Sequence, residues 1–150
     1  MVDFADEGME VRASGITIPI AVMNPEQDAF DNMIEFDLEP EIYSLELLRA
    51  FESSLFKHGI EKYPVHLKLN TGMNRSGIDE EEISELLDFF KEKRTVYLRS
   101  VFSHLAGSDE MVHDDYTKLQ IERFARMTEC IQSQFDYKML RHILNSAGIE

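Results

Sequence analysis

The feature that most constrains this chain is a regular alternation of short apolar runs with longer amphipathic ones. TIPIAVM (17–23) is apolar, β-rich and bounded by Gly15 and Asn24-Pro25, which predicts a buried strand. EQDAFDNMIEF (26–36) places Ala29, Phe30, Met33 and Ile34 at helical spacing. PEIYS (40–44) is a weaker strand candidate, and LELLRAFESSLFKHG (45–59) is a helix with Gly59 as its stop. VHLKLN (65–70) is a strand, TGMNRSG (71–77) a loop, and EEEISELLDFFKEK (80–93) a helix that Asp79 can cap. SVFSHLA (100–106) is a strand, GSDEMVHDD (107–115) a polar loop, YTKLQIERFARMTECIQSQF (116–135) a long helix and KMLRHILNS (138–146) a last strand. Five strands alternating with four helices predict an α/β fold of parallel strands joined by helical crossovers. Two architectures satisfy that pattern: a doubly wound sheet, and an incomplete (β/α)8 barrel.

Composition narrows the function classes. The chain has 150 residues and a formal charge of −14, with 13 acids against 2 bases in residues 1–52. Such acidity argues against nucleic acid and against an anionic membrane surface as partners. The 43% hydrophobic content is enough for a core, and no apolar run reaches the ~18 residues of a membrane span. A single cysteine, Cys130, rules out an intrachain disulfide framework and fits a reducing, cytoplasmic setting. The acidic start MVDFADEGMEVR lacks a signal-peptide core.

Polar residues gather where strands end, which is where barrel and open α/β sites are built. Strand 65–70 brings Lys68 and Asn70, followed by Arg75 on its loop. Strand 100–106 brings Ser103 and His104, and strand 138–146 brings His142, Asn145 and Ser146. Lys68 is the oddest of these, because parallel strands are usually apolar on both faces. It requires a carboxylate partner, a shifted pKa or a chemical modification. Arg75, between Gly72 and Gly77, either receives an anion or pins its own loop. His66, His104 and His142 recur every 38 residues, which suits either a metal site or three satisfied core histidines. His113-Asp114-Asp115 is a helix cap or a weak metal site, and NSAG (145–148) a helix start able to hold a phosphate.

Together these residues form a pattern. HLKLNTGMNRSGI (66–78), VFSHLAGSDE (101–110) and RHILNSAGIE (141–150) resemble, in order and spacing, three blocks of alanine racemase. ADEGMEVRASGITIPIAVMNP (5–25) looks like the second-to-third strand segment of the same family. The resemblance runs over essentially the whole chain. NSAGIE looks most like the racemase half of bifunctional proteins that also carry a peptidoglycan-precursor ligase.

The resemblance implies an N-terminal (β/α)8 barrel that binds pyridoxal 5'-phosphate (PLP), followed by a β-domain. The implied reaction interconverts L- and D-alanine for the cell wall, in a homodimer. This chain would supply about strands three to seven, with a remnant of strand two at VDFAD. Arg75 matches the arginine that binds the cofactor's phenolic oxygen and the substrate carboxylate. Lys68 matches a lysine, often carbamylated, that holds that arginine. His104 matches the histidine beside the cofactor that contacts the partner's catalytic tyrosine. Ser146 matches the phosphate-binding serine, Asn145 lines the same pocket, and His142 matches a histidine that orients the arginine on the pyridine nitrogen. The family usually has Asp where this chain has Asn70, and often Leu where it has Ser76. The cofactor-bearing lysine is expected upstream of Met1, and strand eight and the tyrosine-bearing β-domain beyond Glu150. The expectation is that the 150-residue chain alone is inactive and self-associates through open sheet edges. The alternatives are a non-catalytic racemase-like binding module and a metal-dependent barrel hydrolase built on His66, His104 and His142.

Overall fold

The computed structural model describes residues 1–92, 95–143 and 145. Five strands run in chain order as β1 Ile20–Val22, β2 Leu38–Ile42, β3 Tyr63–Lys68, β4 Val96–Phe102 and β5 Leu140–His142. They form one sheet of order β1-β2-β3-β4-β5 in which every pairing is parallel. Sequential order is the topology of a barrel wall, not of a doubly wound sheet, whose strand order reverses at a switch point. The sheet curls: Ala21 of β1 and His142 of β5 line one cavity of about 240 Å3 on its concave face.

Helices cover the convex face. They are α1 Ala5–Ala13, α2 Phe30–Glu35, α3 Leu45–His58, α4 Ile83–Glu92 and α5 Asp114–Gln132. Leu38, Ile42, Val65, Leu67, Leu98 and Val101 point out of the sheet into a core shared with Leu48, Phe51, Leu55, Leu86, Met127 and Ile131. Phe51 joins Phe30 and Tyr63 edge to face, at centroid distances of 5.0 and 5.5 Å. The Tyr63 hydroxyl is held within 3.0 Å of the Met33 and Leu38 carbonyl oxygens, and burial pushes it well above its ordinary range.

Helix ends follow the sequence. The Ser44 hydroxyl accepts the Leu47 N–H at 3.2 Å and starts α3. Gly59 ends it in the left-handed region at φ 67°. Asp79 stands before the turn that leads into α4, and the Glu82 carboxylate accepts its N–H at 2.9 Å.

β1, β3 and α5 shift by up to three residues at their ends from the ranges read in the sequence, and four further boundaries differ more in kind. Residues 5–13 form a helix, so the strand-two remnant shrinks to Val2, which bridges Val22 in parallel. β2 is Leu38–Ile42, with Pro40 inside it. β4 begins at Val96, not Ser100, because a register shift against Val65/His66 interrupts its alternation. β5 is confined to Leu140–His142.

Candidate functional site

The concave face is polar, and its polar groups fall into two tiers. The lower tier is a closed network. His66 places Nε2 2.8 Å from Glu39 Oε2 and Nδ1 2.6 Å from Ser100 Oγ. Arg99 Nη1 reaches Glu39 Oε1 at 2.8 Å. The β4 register shift makes this network, because it turns two sequence neighbours, Arg99 and Ser100, toward the same pair of residues.

The upper tier lies at the C-terminal strand ends. Lys68 closes β3 and donates from Nζ to Glu41 Oε1 at 2.8 Å. Both are buried, with side-chain exposures of 8% and 2%. Lys68 also lies 5.8 Å from the centre of the Phe102 ring. Burial pushes the Glu41 carboxyl up, against the downward pull of Lys68 and the weaker pulls of Arg75 and His66. Glu41 Oε2 is buried without a hydrogen-bond partner among the described residues. The His142 ring lies flat on Phe102, with centroids 4.9 Å apart and planes 3° from parallel. Desolvation on that face, then the nearby charge of His66, hold its imidazole below the ordinary value.

Arg75 rides a loop whose base is closed by main-chain bonds from Asn70 N to Ile78 O and from Ile78 N to Lys68 O, each 2.9 Å. Asn70 is the hub of this loop. Its Oδ1 accepts the Gly72 and Asn74 N–H groups, and its Nδ2 donates to Asn74 and Asp79. Tyr116 adds a hydroxyl bond to Gly72 O at 2.6 Å. Arg75 is exposed and has no hydrogen-bond or ion-pair partner among the described residues. It does not pin its own loop, since Asn70 does that. His104 follows β4 and is also exposed. Desolvation, then the positive charges of Arg75 and Lys68, hold it below the ordinary histidine value.

The remaining sequence candidates scatter. Ser103 is buried, with its hydroxyl engaged by Thr71 and the Leu69 carbonyl, so it braces the loop. Asn145 donates to Leu105 O at 3.3 Å and accepts from Ser108 at 2.6 Å, tying the chain after β5 to the loop after β4. Ser146 lies outside the described residues. His113 and Asp114 sit at the start of α5. His66, His104 and His142 do not converge, and among the described residues no group of three His, Cys, Asp or Glu is placed to hold a metal ion. Sequence reading missed Glu39 and Glu41. Its available signal was their period-two spacing opposite His66 and Lys68.

Comparison with known proteins agrees with this geometry. The family of the alanine racemase N-terminal domain matches residues 1–150. The alanine racemase of Citrifermentans bemidjiense is 32% identical over 154 residues, covering 99% of this chain and 40% of the relative. That of Geobacter sulfurreducens is 32% identical over 152 residues, covering 98% and 39%. The solved alanine racemase of Clostridium difficile 630 superposes with a TM-score of 0.85 at 29% identity, over 99% of this chain and 40% of that one. The chain thus spans about two fifths of the length of the curated relatives it matches. The half-barrel of parallel strands expected from the sequence is the fold these relatives share, and the chain belongs to the alanine racemase N-terminal-domain family.

Proposed function

We propose that this chain forms part of the cofactor wall of a PLP-dependent alanine racemase that works in the cytoplasm as a homodimer, with alanine as substrate. The observation that carries the reading is Arg75, an unpartnered guanidinium on a braced loop at the C-terminal strand ends. A cation left free on an ordered loop is a binding group for an anionic oxygen. The other residues fit the same cofactor. His142 stacked on Phe102 gives a fixed ring on the concave face, and the buried Glu41 oxygen has capacity for a further donor.

PLP, when bound, supplies an electron sink for the charge left at the alanine Cα as its proton is removed. Arg75 would hold the phenolic oxygen and the substrate carboxylate. His104, whose imidazole partial desolvation and the charges of Arg75 and Lys68 hold below the ordinary histidine value, would bring its two ring nitrogens beside it. Ser146 and Asn145 are assigned to the phosphate end. None of these groups carries the Cα proton, so the two bases that invert the centre come from elsewhere in the protein.

Arg75→Lys in the intact protein tests the reading, because it keeps the charge and removes the fork. Racemisation of L-alanine falls by about 100-fold or more as the fixed donors are lost, while the fold is unchanged by circular dichroism. Undiminished turnover rejects Arg75 as a binding group. The 150-residue chain alone with added PLP forms no D-alanine, and a chiral assay that detects turnover rejects that statement.

A further inference from the structure

We propose that Glu41 is the buried anion that positions Arg75: one carboxylate oxygen holds the Lys68 ammonium, and the other takes the Arg75 guanidinium. The assignment rests on the cofactor-binding reading of Arg75.

Three observations carry it. Glu41 is 2% exposed, and its two oxygens are unequal, since Oε1 accepts from Lys68 at 2.8 Å and Oε2 has no partner among the described residues. A buried acceptor without a donor costs about 1–3 kcal/mol, more for a charged group, so Oε2 is a vacancy for a strong donor. Arg75 is the complementary case, a guanidinium with five N–H donors and no partner among the described residues. The two belong to neighbouring strands: Glu41 lies on β2, which pairs with β3, and Arg75 rides the loop that follows β3. An unmodified Lys68 is not the direct partner of Arg75, because two cations repel. The carboxylate between them converts that repulsion into an alternating row of Lys68, Glu41 and Arg75. Two cations facing one buried anion also favour a bound anion at the outer end, where Arg75 faces the site.

The arrangement has a chemical consequence for Lys68. An amine adds to CO2 through its nitrogen lone pair, and an ammonium held by a carboxylate has none to offer. Lys68 therefore stays unmodified while Glu41 is present. Without Glu41, the Lys68 nitrogen has lost the carboxylate that accepts from it, and release of a proton to water frees its lone pair. Its lone pair then attacks the carbon of dissolved CO2. The N–C bond forms, a C=O π pair moves to oxygen, and a proton leaves the nitrogen for water. The carbamate so formed replaces the lost carboxylate beside Arg75.

The test uses the intact protein equilibrated with 13C-bicarbonate and read by 13C NMR. Wild type gives no lysine carbamate resonance. Glu41→Ala gives one, and Glu41→Ala/Lys68→Ala loses it. A carbamate on Lys68 in the wild type, or none in Glu41→Ala, overturns the proposal. A double-mutant cycle with the isosteric Glu41→Gln and with Arg75→Gln, read by urea denaturation, tests the contact itself. The folding constants depart from additivity by about tenfold, as for groups in direct contact, and additive losses overturn it. PLP absorbance in the same samples separates the two failures. Protein that binds PLP without the coupling rejects Glu41 alone, whereas protein that never binds PLP rejects the cofactor reading.

Discussion

Glu41 and Lys68 show how a buried charge pair differs in its cost when broken from either side. Lys68→Met leaves a carboxylate at 2% exposure without its ammonium partner. Losing one partner of a buried pair costs about 3–5 kcal/mol. The pH dependence fixes the assignment. Burial already raises the Glu41 pKa, so the folded chain binds its proton more tightly than the unfolded chain. The cost is absent below the ordinary carboxylate range and grows as pH rises through the raised folded value. Urea denaturation is therefore expected to show the variant far weaker than wild type at neutral pH and close to it near about pH 4. A deficit independent of pH would mean that the lost alkyl packing of Lys68, not the stranded charge, sets the cost. The two partners were unequally legible in sequence. A lysine on a parallel strand is an anomaly that announces itself, and Lys68, Arg75, His104 and His142 all stood out that way. Glu39 and Glu41 did not, because both sit within the 13 acids of residues 1–52 and read as solvated charge.

Elements were legible where periodicity and punctuation agreed. α3 begins at Ser44 and ends at Gly59, and α4 follows Asp79, each with the capping chemistry its sequence spells. α1 was missed because ADEGMEVRA has almost no amphipathic stripe and carries a mid-helix glycine. That glycine is a packing choice, since a Cβ on Gly8 would meet Leu38 Cδ1 at 2.9 Å. Pro40 weakened the reading of β2 and hid its first two residues, Leu38 and Glu39, because a proline argues against a central strand. The register shift hid the first half of β4, because it breaks strict alternation at Arg99-Ser100. The loop after β3 gives the sharpest prediction at this scale. Gly77 has φ 124°, and a Cβ there would meet Asn70 N at 2.7 Å and the Leu69 carbonyl carbon at 2.8 Å. Both contacts are backbone, so neither can yield by a rotamer change. Gly77→Ala is expected to lower stability by about 1–3 kcal/mol and to displace the segment carrying Arg75. Urea denaturation measures the first. The second shows as PLP affinity falling further than it does in Gly59→Ala, a control at another positive-φ glycine far from the site.

At the scale of the molecule, the two faces of one sheet have different requirements. The convex face is covered: among the described residues α1 to α5 pack over it, and its outward residues reach exposures near zero. The concave face is a wall around a cavity of about 240 Å3, lined by Glu41 and His66 from the two charged tiers and by apolar side chains from β1 and β5 at its flanks. β5 carries the open side, with Leu140, Arg141 and His142 all exposed and Leu140 at 67%. A strand with unpaired N–H and C=O groups is a template for another strand. Its exposed leucine, beside the apolar lining, adds a driving force for burial. The net charge of −14 opposes association through mutual repulsion, and salt screens that repulsion while leaving apolar burial intact. The 150-residue chain studied alone is therefore expected to self-associate, and to do so more strongly at 0.5 M than at 0.05 M salt (about 4 and 14 Å of screening length). Sedimentation velocity across a concentration series measures it directly. Leu140→Lys, which places a charge on the edge, is expected to shift the distribution toward monomer. A chain that stays monomeric at high concentration and high salt would show that three exposed residues are too short an edge to pair, and that the concave face is stable in water as a wall in its own right.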